Sequence, residues 1–426
     1  MKRVVITGVG VVSAFGVGAA AFYDGLAHGR AAVGPIRSFD AHAFPVRVAG
    51  EVPVGAIDSA WIAAHGLPVD GAVLAACAAS GAWRDRKVVF GLLAALEAWR
   101  HAGCTADDAP AALSLALGLE QAFLDDFAPF VAHGAIDWRG EAAAPASGIR
   151  IRSDVDLAAR VIARALGLTG MTYANASACA AGGLAVAHAA SLVERGAADI
   201  VLCGGADSMV NPLGIGGMAR LGAASPRSAA DACRPFDSRR DGLAVGEGAA
   251  MFVVESEERA RRRGARPLAR IVGHGSTQDA YRVTAPRPDG MAARRAMAQA
   301  LRMADLAPPG IGYVNAHGTG TPLNDVAEAR AIRDLFGAHA DVLPVSSIKG
   351  AVGHLMAAAG AIELAACLLP FERDLLPGTA NHVHKDPQCA IDVIGPAPRA
   401  ARVDHVLCNS FGFGGQNASV ILGRPA

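Results

Sequence analysis

A cysteine in the surroundings of a nucleophile is the most chemically informative feature of the chain. Cys179 lies in Asn175-Ala-Ser-Ala-Cys-Ala-Ala-Gly-Gly, between a strand-like run and a small-residue helix pattern that continues through Ala190. A thiol at a helix N-terminus meets free N–H groups and the positive end of the macrodipole, and both favour thiolate over thiol. Cys179 is therefore a candidate nucleophile, but by itself the pattern is more typical of a small buried side chain, and the assignment depends on the later segments.

Two histidines and a lysine follow strand-like runs later in the chain. His317 ends the apolar run that begins at Tyr313, and it opens a loop rich in Gly and Thr. Lys349 and His354 lie five residues apart, between another strand-like run and the apolar helix pattern of residues 355–369. Strand ends are where α/β enzymes place their chemistry. These residues are therefore candidates for one active site.

A glycine-rich turn near the C-terminus supplies a different kind of group. It reads Asn409-Ser-Phe-Gly-Phe413-Gly-Gly-Gln-Asn. Glycines let a backbone approach a ligand closely and offer N–H groups to an oxyanion. Taken singly, this turn, a strand-end histidine or a lysine is more often structural than catalytic, so the order of all these segments carries the argument.

In that order, the segments resemble the beta-ketoacyl-[acyl carrier protein] synthases, specifically the type II elongating ketosynthases (synthase II-like, thiolase superfamily). The resemblance extends over nearly the whole chain, from Val4 to Leu422. Further matching segments are Cys203-Gly-Gly-Ala-Asp, Pro235-Phe-Asp-Ser-Arg-Arg-Asp-Gly, Gly246-Glu-Gly and Ser276-Thr-Gln-Asp-Ala-Tyr.

The resemblance implies an α/β fold, the thiolase-like duplicated fold, with two α/β halves in a layered α-β-α-β-α arrangement. Residues 1–265 would form the N-terminal half with the nucleophile, and residues 266–426 the half with both histidines and the lysine. The segments around Cys179 and Lys349 echo each other as strand, reactive residue and helix. Residues 30–85 and 120–153 have little regular pattern, and the resemblance suggests that they cap the acyl pocket and build a dimer contact.

The resemblance also implies roles for the residues around the nucleophile. Cys179 would attack the incoming acyl thioester, and the backbone N–H groups of Cys179 and Phe413 would bind the oxyanion. Phe413 would be a gate whose side chain moves when the acyl group arrives. Thr319 and Thr321 would bind the phosphopantetheine arm. Met218 stands where many relatives have an aromatic residue in the wall of the acyl pocket, so substrate preference is expected to differ.

The two histidines would act in the second half of the reaction. His317 and His354 would donate hydrogen bonds to the malonyl thioester carbonyl and stabilise the enolate formed by decarboxylation. Lys349 would orient the site and tune its electrostatics, with Glu328 as its partner by motif position. The implied reaction is a decarboxylative Claisen condensation in fatty acid elongation.

Several other classes of protein share this fold, and two of them are alternatives for this chain. A specialised polyketide or polyene ketosynthase would have the same catalytic residues. A non-catalytic chain-length partner would usually lack the nucleophile, which this chain retains at Cys179. Degradative thiolases and initiating ketosynthases use one histidine with Cys or Asn at the later positions, whereas this chain has His317 and His354 together with Lys349.

Composition limits the remaining classes of function. The chain has 426 residues, 52% of them hydrophobic and 18% charged, and a mean hydropathy of +0.31, which predicts a large buried core. Its 39 basic and 39 acidic residues remove the broad attraction that nucleic-acid binding needs. Residues 165–193 contain no Asp, Glu, Lys or Arg, but Asn175, His188 and several glycines favour a buried strand–helix unit over a membrane span.

No resident cofactor or metal is expected. The turn at Gly8-Val-Gly10 lacks the third glycine of the dinucleotide pattern, and the eight cysteines show no metal-like spacing. By resemblance, phosphopantetheine would arrive on the acyl carrier protein, which is the expected partner beside the acyl and malonyl thioesters. A homodimer is expected, with a heterodimer possible in principle. Scattered cysteines and an N-terminal run that predicts a first strand rather than a leader favour the cytoplasm.

Overall fold

The computed structural model describes residues 2–55, 59–64, 71–79, 81–108, 110–118, 131–132, 135–136 and 156–425. The strands are β1 (Val4–Ser13), β2 (Gly16–Val17), β3 (Gly34–Pro35), β4 (Val48–Gly50), β5 (Ala112–Leu117), β6 (Val131–Ala132), β7 (Ala135–Ile136), β8 (Thr172–Asn175), β9 (Ile200–Ser208), β10 (Val245–Ser256), β11 (Ala269–Gln278), β12 (Tyr313–Asn315), β13 (Pro344–Ser346), β14 (Leu375–Leu376), β15 (Asp392–Val393), β16 (Arg399–Ala400), β17 (His405–Gly412) and β18 (Gln416–Gly423).

The α-helices alternate with these strands in both halves. They are α1 (Ala19–Ala27), α2 (Ser59–Ala64), α3 (Gly71–Ala79), α4 (Arg86–His101), α5 (Leu157–Leu166), α6 (Ala181–Glu194), α7 (Pro212–Arg220), α8 (Glu257–Arg262), α9 (Met291–Met303), α10 (Pro322–Phe336), α11 (Lys349–Val352), α12 (Ala359–Ala366) and α13 (Leu369–Arg373).

The order of strands in the main sheet shows an internal duplication. The first half runs β1-β10-β9-β5-β8, and the second runs β11-β18-β17-β12-β13. In each half the first two pairings are antiparallel and the next two are parallel. The halves join where β1 pairs with β11. This repeat confirms the predicted pair of α/β halves. The proposed boundary near residue 265 lies between α8 and β11 and stays a prediction.

Helices form layers around the two halves of the sheet. The central helices α6 and α12 pack against each other, and both contact strands of the first and second halves. Their small Ala and Gly side chains suit such close packing. On the outer faces, α4 covers β1 and β10, while α9 covers β11 and β18. The layers are therefore α-β-α-β-α, as the resemblance implied, and α12 in the central layer is buried along its whole length.

Several element bounds differ from the sequence patterns. The pattern of residues 355–369 predicts one helix, but the structure has a 3₁₀ turn at Met356–Ala358, then α12, then α13. Met356 has φ of 45°, which lies outside the α-helical region and delays the helix. The sequence analysis also missed α10, which begins at Pro322; proline is favoured in the first helical turn because its missing N–H needs no partner there.

The two irregular regions have different outcomes. Most of residues 120–153 lies outside the described residues, so its expected role stays a prediction. Within residues 30–85, the side chains of Phe39, Phe44 and Val46 pack in the same apolar cluster as Cys179. This part of the chain therefore contributes to the wall beside the candidate nucleophile. None of the helices in the described ranges has the length and apolar character needed to cross a membrane.

Candidate active site

The duplication brings the predicted residues together from equivalent places in the two halves. Cys179 follows β8 and Lys349 follows β13, and these strands occupy the same position in the sheet order of their halves. His317 follows the neighbouring strand β12. Cys179, His317 and His354 all line one cavity of about 340 Å³. The structure therefore brings Cys179, His317 and His354 to one site, as the strand-end pattern predicted.

Cys179 lies in a tight turn immediately before a central helix. A 3₁₀ turn spans Ala178–Ala180, and α6 begins at Ala181. Ala178 has φ of 47°, a left-handed conformation that costs about 1–3 kcal/mol for a residue with a Cβ. Strain of this kind is concentrated at functional sites. The turn holds the Cys179 side chain, which is 8% exposed, at the wall of the cavity.

The protonation state of the nucleophile differs from the sequence expectation. Burial raises the pKa of the Cys179 thiol to about 12, although the Lys349 ammonium and the backbone N–H of Phe413 both act to lower it. The expectation of a thiolate-favouring environment is therefore wrong for the resting protein. Burial penalises the charged form more than the nearby positive groups favour it. Cys179 is therefore a thiol at neutral pH.

The turn around Phe413 lies against the backbone of Cys179. A 3₁₀ turn spans Phe413–Gly415 directly after β17. A Cβ added at Gly412 would lie 3.0 Å from the backbone nitrogen of Cys179. A side chain at Gly412 would crowd these two backbones, and glycine avoids that contact. The backbone of Gly412 therefore lies against the amide of Cys179, and the backbone N–H of the next residue, Phe413, acts on the Cys179 thiol.

Hydrogen bonds fix which nitrogen of each catalytic-candidate imidazole carries the proton. The backbone N–H of Met356 donates to Nδ1 of His354 over 3.1 Å, and Lys349 Nζ lies 3.2 Å from Nδ1 of His317. Because an amide and an ammonium donate, each Nδ1 accepts and each Nε2 bears hydrogen. Burial and the Lys349 charge hold the pKa of both imidazoles well below the usual range. Both rings are neutral hydrogen-bond donors.

The two imidazoles and the lysine form one buried group. The His317 and His354 rings are 5.3 Å apart between centroids, with planes at 82°. Lys349 Nζ donates to the backbone carbonyl of His317 over 2.5 Å. The lysine therefore holds both the main chain and the ring of His317. Such a fixed arrangement presents two donors to the same ligand without a change of conformation.

The partner of the lysine corrects the sequence analysis. Glu328 was predicted to pair with Lys349, but the ion pair that the structure shows is between Lys349 and Glu363 in α12. Both side chains are buried. Burial raises the pKa of Glu363 to about 7, and the Lys349 charge opposes that rise. The prediction of Glu328 as the partner of Lys349 is wrong because α12, rather than α10, faces the ammonium.

Glu328 instead holds the loop that carries His317. Its two carboxylate oxygens each accept one bond of 2.8 Å, from the backbone N–H groups of His317 and Gly318. One turn earlier on α10, Asp325 accepts from the next two amides, those of Thr319 and Gly320. Acidic residues three apart lie on one helix face, so they satisfy four successive loop amides together. This cradle fixes the loop from His317 to Gly320.

The remaining predicted residues lie around the same cavity. The hydroxyls of Thr319 and Thr321 form a hydrogen bond of 2.8 Å, and both residues line the cavity. Met218, near the end of α7, packs in one apolar cluster with Cys179 and Met356. The cavity lining includes Cys179, Met218, Thr319, Thr321, His317, His354, Met356, Phe411, Phe413, Val283 and Leu323. Among the described residues, no group of three or more His, Cys, Asp or Glu could hold a metal ion.

Sequence reasoning missed Glu363, Asp325 and Met356. The signal for Glu363 was present: it is the single charged residue in residues 355–369, an otherwise apolar helix pattern. A charge in such a setting is buried only when paired. Asp325 and Met356 gave no comparable signal, because their importance depends on which amides and side chains the fold brings to them.

The Lys349–Glu363 pair leads to a prediction about stability. Glu363→Gln leaves the buried Lys349 charge without its carboxylate, and the loss of one partner of a buried pair is expected to cost roughly 3 kcal/mol. Denaturant unfolding monitored by circular dichroism measures this change. Glu372→Gln is the control, because Glu372 pairs with Arg373 and its side chain is 50% exposed. Equal unfolding midpoints for both variants and the parent would contradict the assigned pairing.

Comparisons with known proteins identify the family of this chain. The family model for the beta-ketoacyl synthase N-terminal domain matches residues 1–260, and that for the C-terminal domain matches residues 268–383. The chain is 36% identical to a 3-oxoacyl-[acyl-carrier-protein] synthase 2 of Synechocystis sp., and the match covers 98% of this chain and 97% of that protein.

Solved structures agree with the sequence comparisons. One is a type II polyketide synthase acyl-carrier protein in complex with its ketosynthase bound to the hexaketide, with a TM-score of 0.87 and 28% identity. Another is the ishigamide ketosynthase/chain length factor, with a TM-score of 0.85 and 32% identity. Both matches cover all of this chain and all of the matched chain. The duplicated fold and the full length of the chain are therefore similar to those of ketosynthases.

Proposed function

The chain belongs to the beta-ketoacyl synthase family, and we propose that it catalyses decarboxylative Claisen condensation of an acyl thioester with malonyl-[acyl carrier protein]. One observation carries the proposal. A buried thiol and two neutral imidazoles, both with hydrogen on Nε2, line a single cavity beside the turn in which the Gly412 backbone lies against the Cys179 amide. A nucleophile with two sets of donors suits a reaction that develops negative charge at two different carbonyl oxygens.

The first half-reaction transfers the acyl group to Cys179. The sulfur attacks the thioester carbonyl, and the backbone N–H groups of Cys179 and Phe413 bind the resulting oxyanion. Each such donor contributes about 3 kcal/mol to stabilising the transition state. When the intermediate collapses, the phosphopantetheine thiol leaves and takes the proton that Cys179 lost. The proton therefore ends on the carrier protein, and the buried site retains no added charge.

The second half-reaction forms the new carbon–carbon bond. The malonyl carboxylate leaves as carbon dioxide, and its bonding electrons form an enolate at the thioester. The Nε2–H groups of His317 and His354 stabilise the enolate oxygen. The enolate carbon attacks the acyl carbonyl on Cys179, the carbon–sulfur bond breaks, and the Cys179 thiolate takes a proton from solvent. The products are beta-ketoacyl-carrier protein, carbon dioxide and free thiol.

Other residues hold these groups in place. Lys349 pairs with Glu363 and contacts Nδ1 of His317, so its proposed role is positional rather than that of a base. Thr319 and Thr321 are the proposed ligands of the phosphopantetheine arm, because both residues line the cavity. Phe413 is the proposed gate. The reaction as written needs no resident cofactor, since the pantetheine arrives on the carrier protein.

The proposal extends to the partner, the pathway and the compartment. Acyl carrier protein is the proposed partner, because a ketosynthase that shares this fold was solved with one. Fatty acid elongation is the first proposal, supported by the Synechocystis relative. A specialised polyketide ketosynthase is the alternative, and it would favour a heterodimer such as the ketosynthase/chain length factor. The scattered cysteines favour the reducing cytoplasm.

Intact-mass measurement of the enzyme tests this proposal. Incubation with a panel of acyl-carrier proteins should add one acyl group per chain, and malonyl-carrier protein should then remove it. The acyl groups that bind and discharge would separate the two pathways, since short and saturated chains suit fatty acid elongation whereas polyketo chains suit the alternative. Failure of every acyl-carrier protein to acylate the enzyme would support the non-catalytic partner subunit instead.

Met218 yields a prediction about substrate length. Its side chain is buried in the cavity wall with Met356, so Met218→Phe adds volume there. Overpacking costs roughly 1–3 kcal/mol, and this cost should fall on the longer or branched acyl chains. Relative acylation rates over short, medium, long and branched acyl-carrier proteins measure the effect. Met209→Phe is the matched control, because Met209 packs beside the cluster but does not line the cavity. Unchanged relative rates in Met218→Phe would contradict a role in specificity.

A further inference from the structure

One buried carboxylate beside the site has no role in the reaction described above. Asp207, near the end of β9, is 1% exposed. Its Oδ2 accepts a 2.8 Å hydrogen bond from the backbone N–H of Ala357, and its Oδ1 accepts one of 2.8 Å from Ser208 N–H. The partners in the first of these bonds are 150 residues apart in sequence, so the bond joins the two halves of the fold. Asp207 therefore holds a turn that belongs to the other half.

That turn also holds His354. Met356 is the first residue of the 3₁₀ turn, with φ of 45°, and its backbone N–H donates to Nδ1 of His354. The next N–H, from Ala357, is the one that Asp207 accepts. A left-handed methionine costs about 1–3 kcal/mol and persists only when its surroundings hold it. Two consecutive amides thus link the carboxylate to the imidazole.

Strand β9 is shaped to receive this turn. Gly205 and Asp207 are two residues apart, so they lie on the same face of the strand. A Cβ added at Gly205 would lie 3.2 Å from both Ala357 O and Ala358 Cα. Glycine lets the turn approach β9, and the carboxylate two residues later accepts its amide. The two features serve the same contact.

We propose that Asp207 is a positioning residue for the decarboxylation step, because it holds the Met356–Ala358 turn and through that turn the His354 imidazole. The inference rests on the proposed function, in which His354 Nε2–H binds the enolate oxygen. If the turn is released, Met356 N–H no longer fixes Nδ1 as the acceptor, so the ring can rotate or change tautomer. The hydrogen on Nε2 is then no longer aimed at the substrate.

Asp207 also affects Cys179. It supports decarboxylation through His354, but its charge makes the Cys179 thiol harder to ionise. Its negative charge raises the pKa of the Cys179 thiol, so removal of that charge should lower the pKa and speed alkylation at a fixed pH. Burial raises the pKa of Asp207 itself to about 6, and Lys87 at the start of α4 lowers it while Asp85 raises it. Asp207 is therefore ionised at the pH of an ordinary assay.

The test compares half-reactions in Asp207→Asn and the parent enzyme. The asparagine has nearly the same shape, but its NH₂ group must face either Ala357 N–H or Ser208 N–H, so one hydrogen bond is lost. Decarboxylation of malonyl-carrier protein should fall roughly 10- to 100-fold, as expected for a misplaced catalytic group. Iodoacetamide alkylation of Cys179 at pH 8, located by peptide mass mapping, should become faster. A lesion that merely loosened the fold would expose the other cysteines as well.

Two further variants make every outcome informative. Glu255→Gln is the control, because Glu255 is a buried carboxylate on β10 that pairs with Arg259 and Arg263 outside the cavity. It should leave the ratio of half-reactions unchanged. Gly205→Ala crowds the same turn, and also Ala116 Cβ at 3.1 Å, without altering any charge, so it should slow decarboxylation and leave alkylation unchanged. It decides the question if Asp207→Asn does not fold.

The outcomes separate the two proposals. If the parent enzyme does not decarboxylate malonyl-carrier protein at all, the proposed function is wrong. If the parent is active, and decarboxylation by folded Asp207→Asn or Gly205→Ala equals that of the parent, the positioning role is overturned while the proposed function stands. Slower decarboxylation by folded Asp207→Asn and Gly205→Ala, with the ratio of half-reactions unchanged in Glu255→Gln and the other cysteines unreactive, supports the role.

Discussion

Replacement of Cys179 by alanine is expected to abolish condensation, with a loss on the order of 10⁴-fold or more. The variant has no sulfur to accept the acyl group, so the first half-reaction cannot occur. Decarboxylation of malonyl-carrier protein should remain measurable, because His317 and His354 do not require the acyl group to bind the enolate. Condensation is measured as beta-ketoacyl-carrier protein by mass spectrometry, and decarboxylation as released carbon dioxide.

Cys203→Ala is a suitable control for Cys179→Ala. Cys203 is buried in β9, it does not line the cavity, and burial holds its pKa well above the usual range. Cys203 should therefore not be acylated in the parent enzyme or in Cys179→Ala, and Cys203→Ala should be acylated on Cys179 like the parent. Mass mapping that finds the acyl group on Cys203 or Cys408 would overturn the assignment of Cys179 as the nucleophile.

Replacement of His317 or His354 by alanine should separate the two half-reactions. Each variant loses one donor to the enolate oxygen, so decarboxylation should fall roughly 10²- to 10³-fold. Acyl transfer to Cys179 should be less affected, because backbone amides bind the oxyanion in that step. Intact-mass kinetics of acylation and carbon dioxide release from malonyl-carrier protein provide the two rates.

His188→Ala is the matched control for these histidine variants. His188 is a half-buried imidazole that lies 3.1 Å from Ser114 Oγ and does not line the cavity. It should change neither half-reaction selectively. Equal losses of acylation and decarboxylation in His317→Ala and His354→Ala would instead assign the imidazoles to activation of the thiol or to folding.

The candidate residues could be found from the sequence because each is marked by the residues immediately around it. Cys179, His317 and Lys349 each follow a short apolar run that ends in small or polar residues, and such a change of pattern can be read from neighbouring positions. The duplicated strand order then brings these ends together. The fold class was predicted from the family resemblance that these segments carry together, and the local patterns alone indicated only the candidate residues.

The failed predictions concern contacts between distant segments. Glu363 lies fourteen residues from Lys349, and its approach depends on how α12 packs in the central layer. Glu328 was expected to be the partner from its motif position in the family resemblance, but its oxygens accept hydrogen bonds from loop amides. The thiol state of Cys179 was missed for a similar reason, since burial is a tertiary property and here it outweighs the local helix dipole.

The most direct test of the account measures carbon dioxide against product in a single turnover. Enzyme acylated on Cys179 is mixed with malonyl-carrier protein that carries ¹³C in its free carboxylate. The account predicts that each beta-ketoacyl-carrier protein formed is accompanied by one labelled carbon dioxide and one free Cys179 thiol, with no label in the product. Product that retains the labelled carboxylate, or labelled carbon dioxide released while the acyl group stays on Cys179, would contradict decarboxylative condensation.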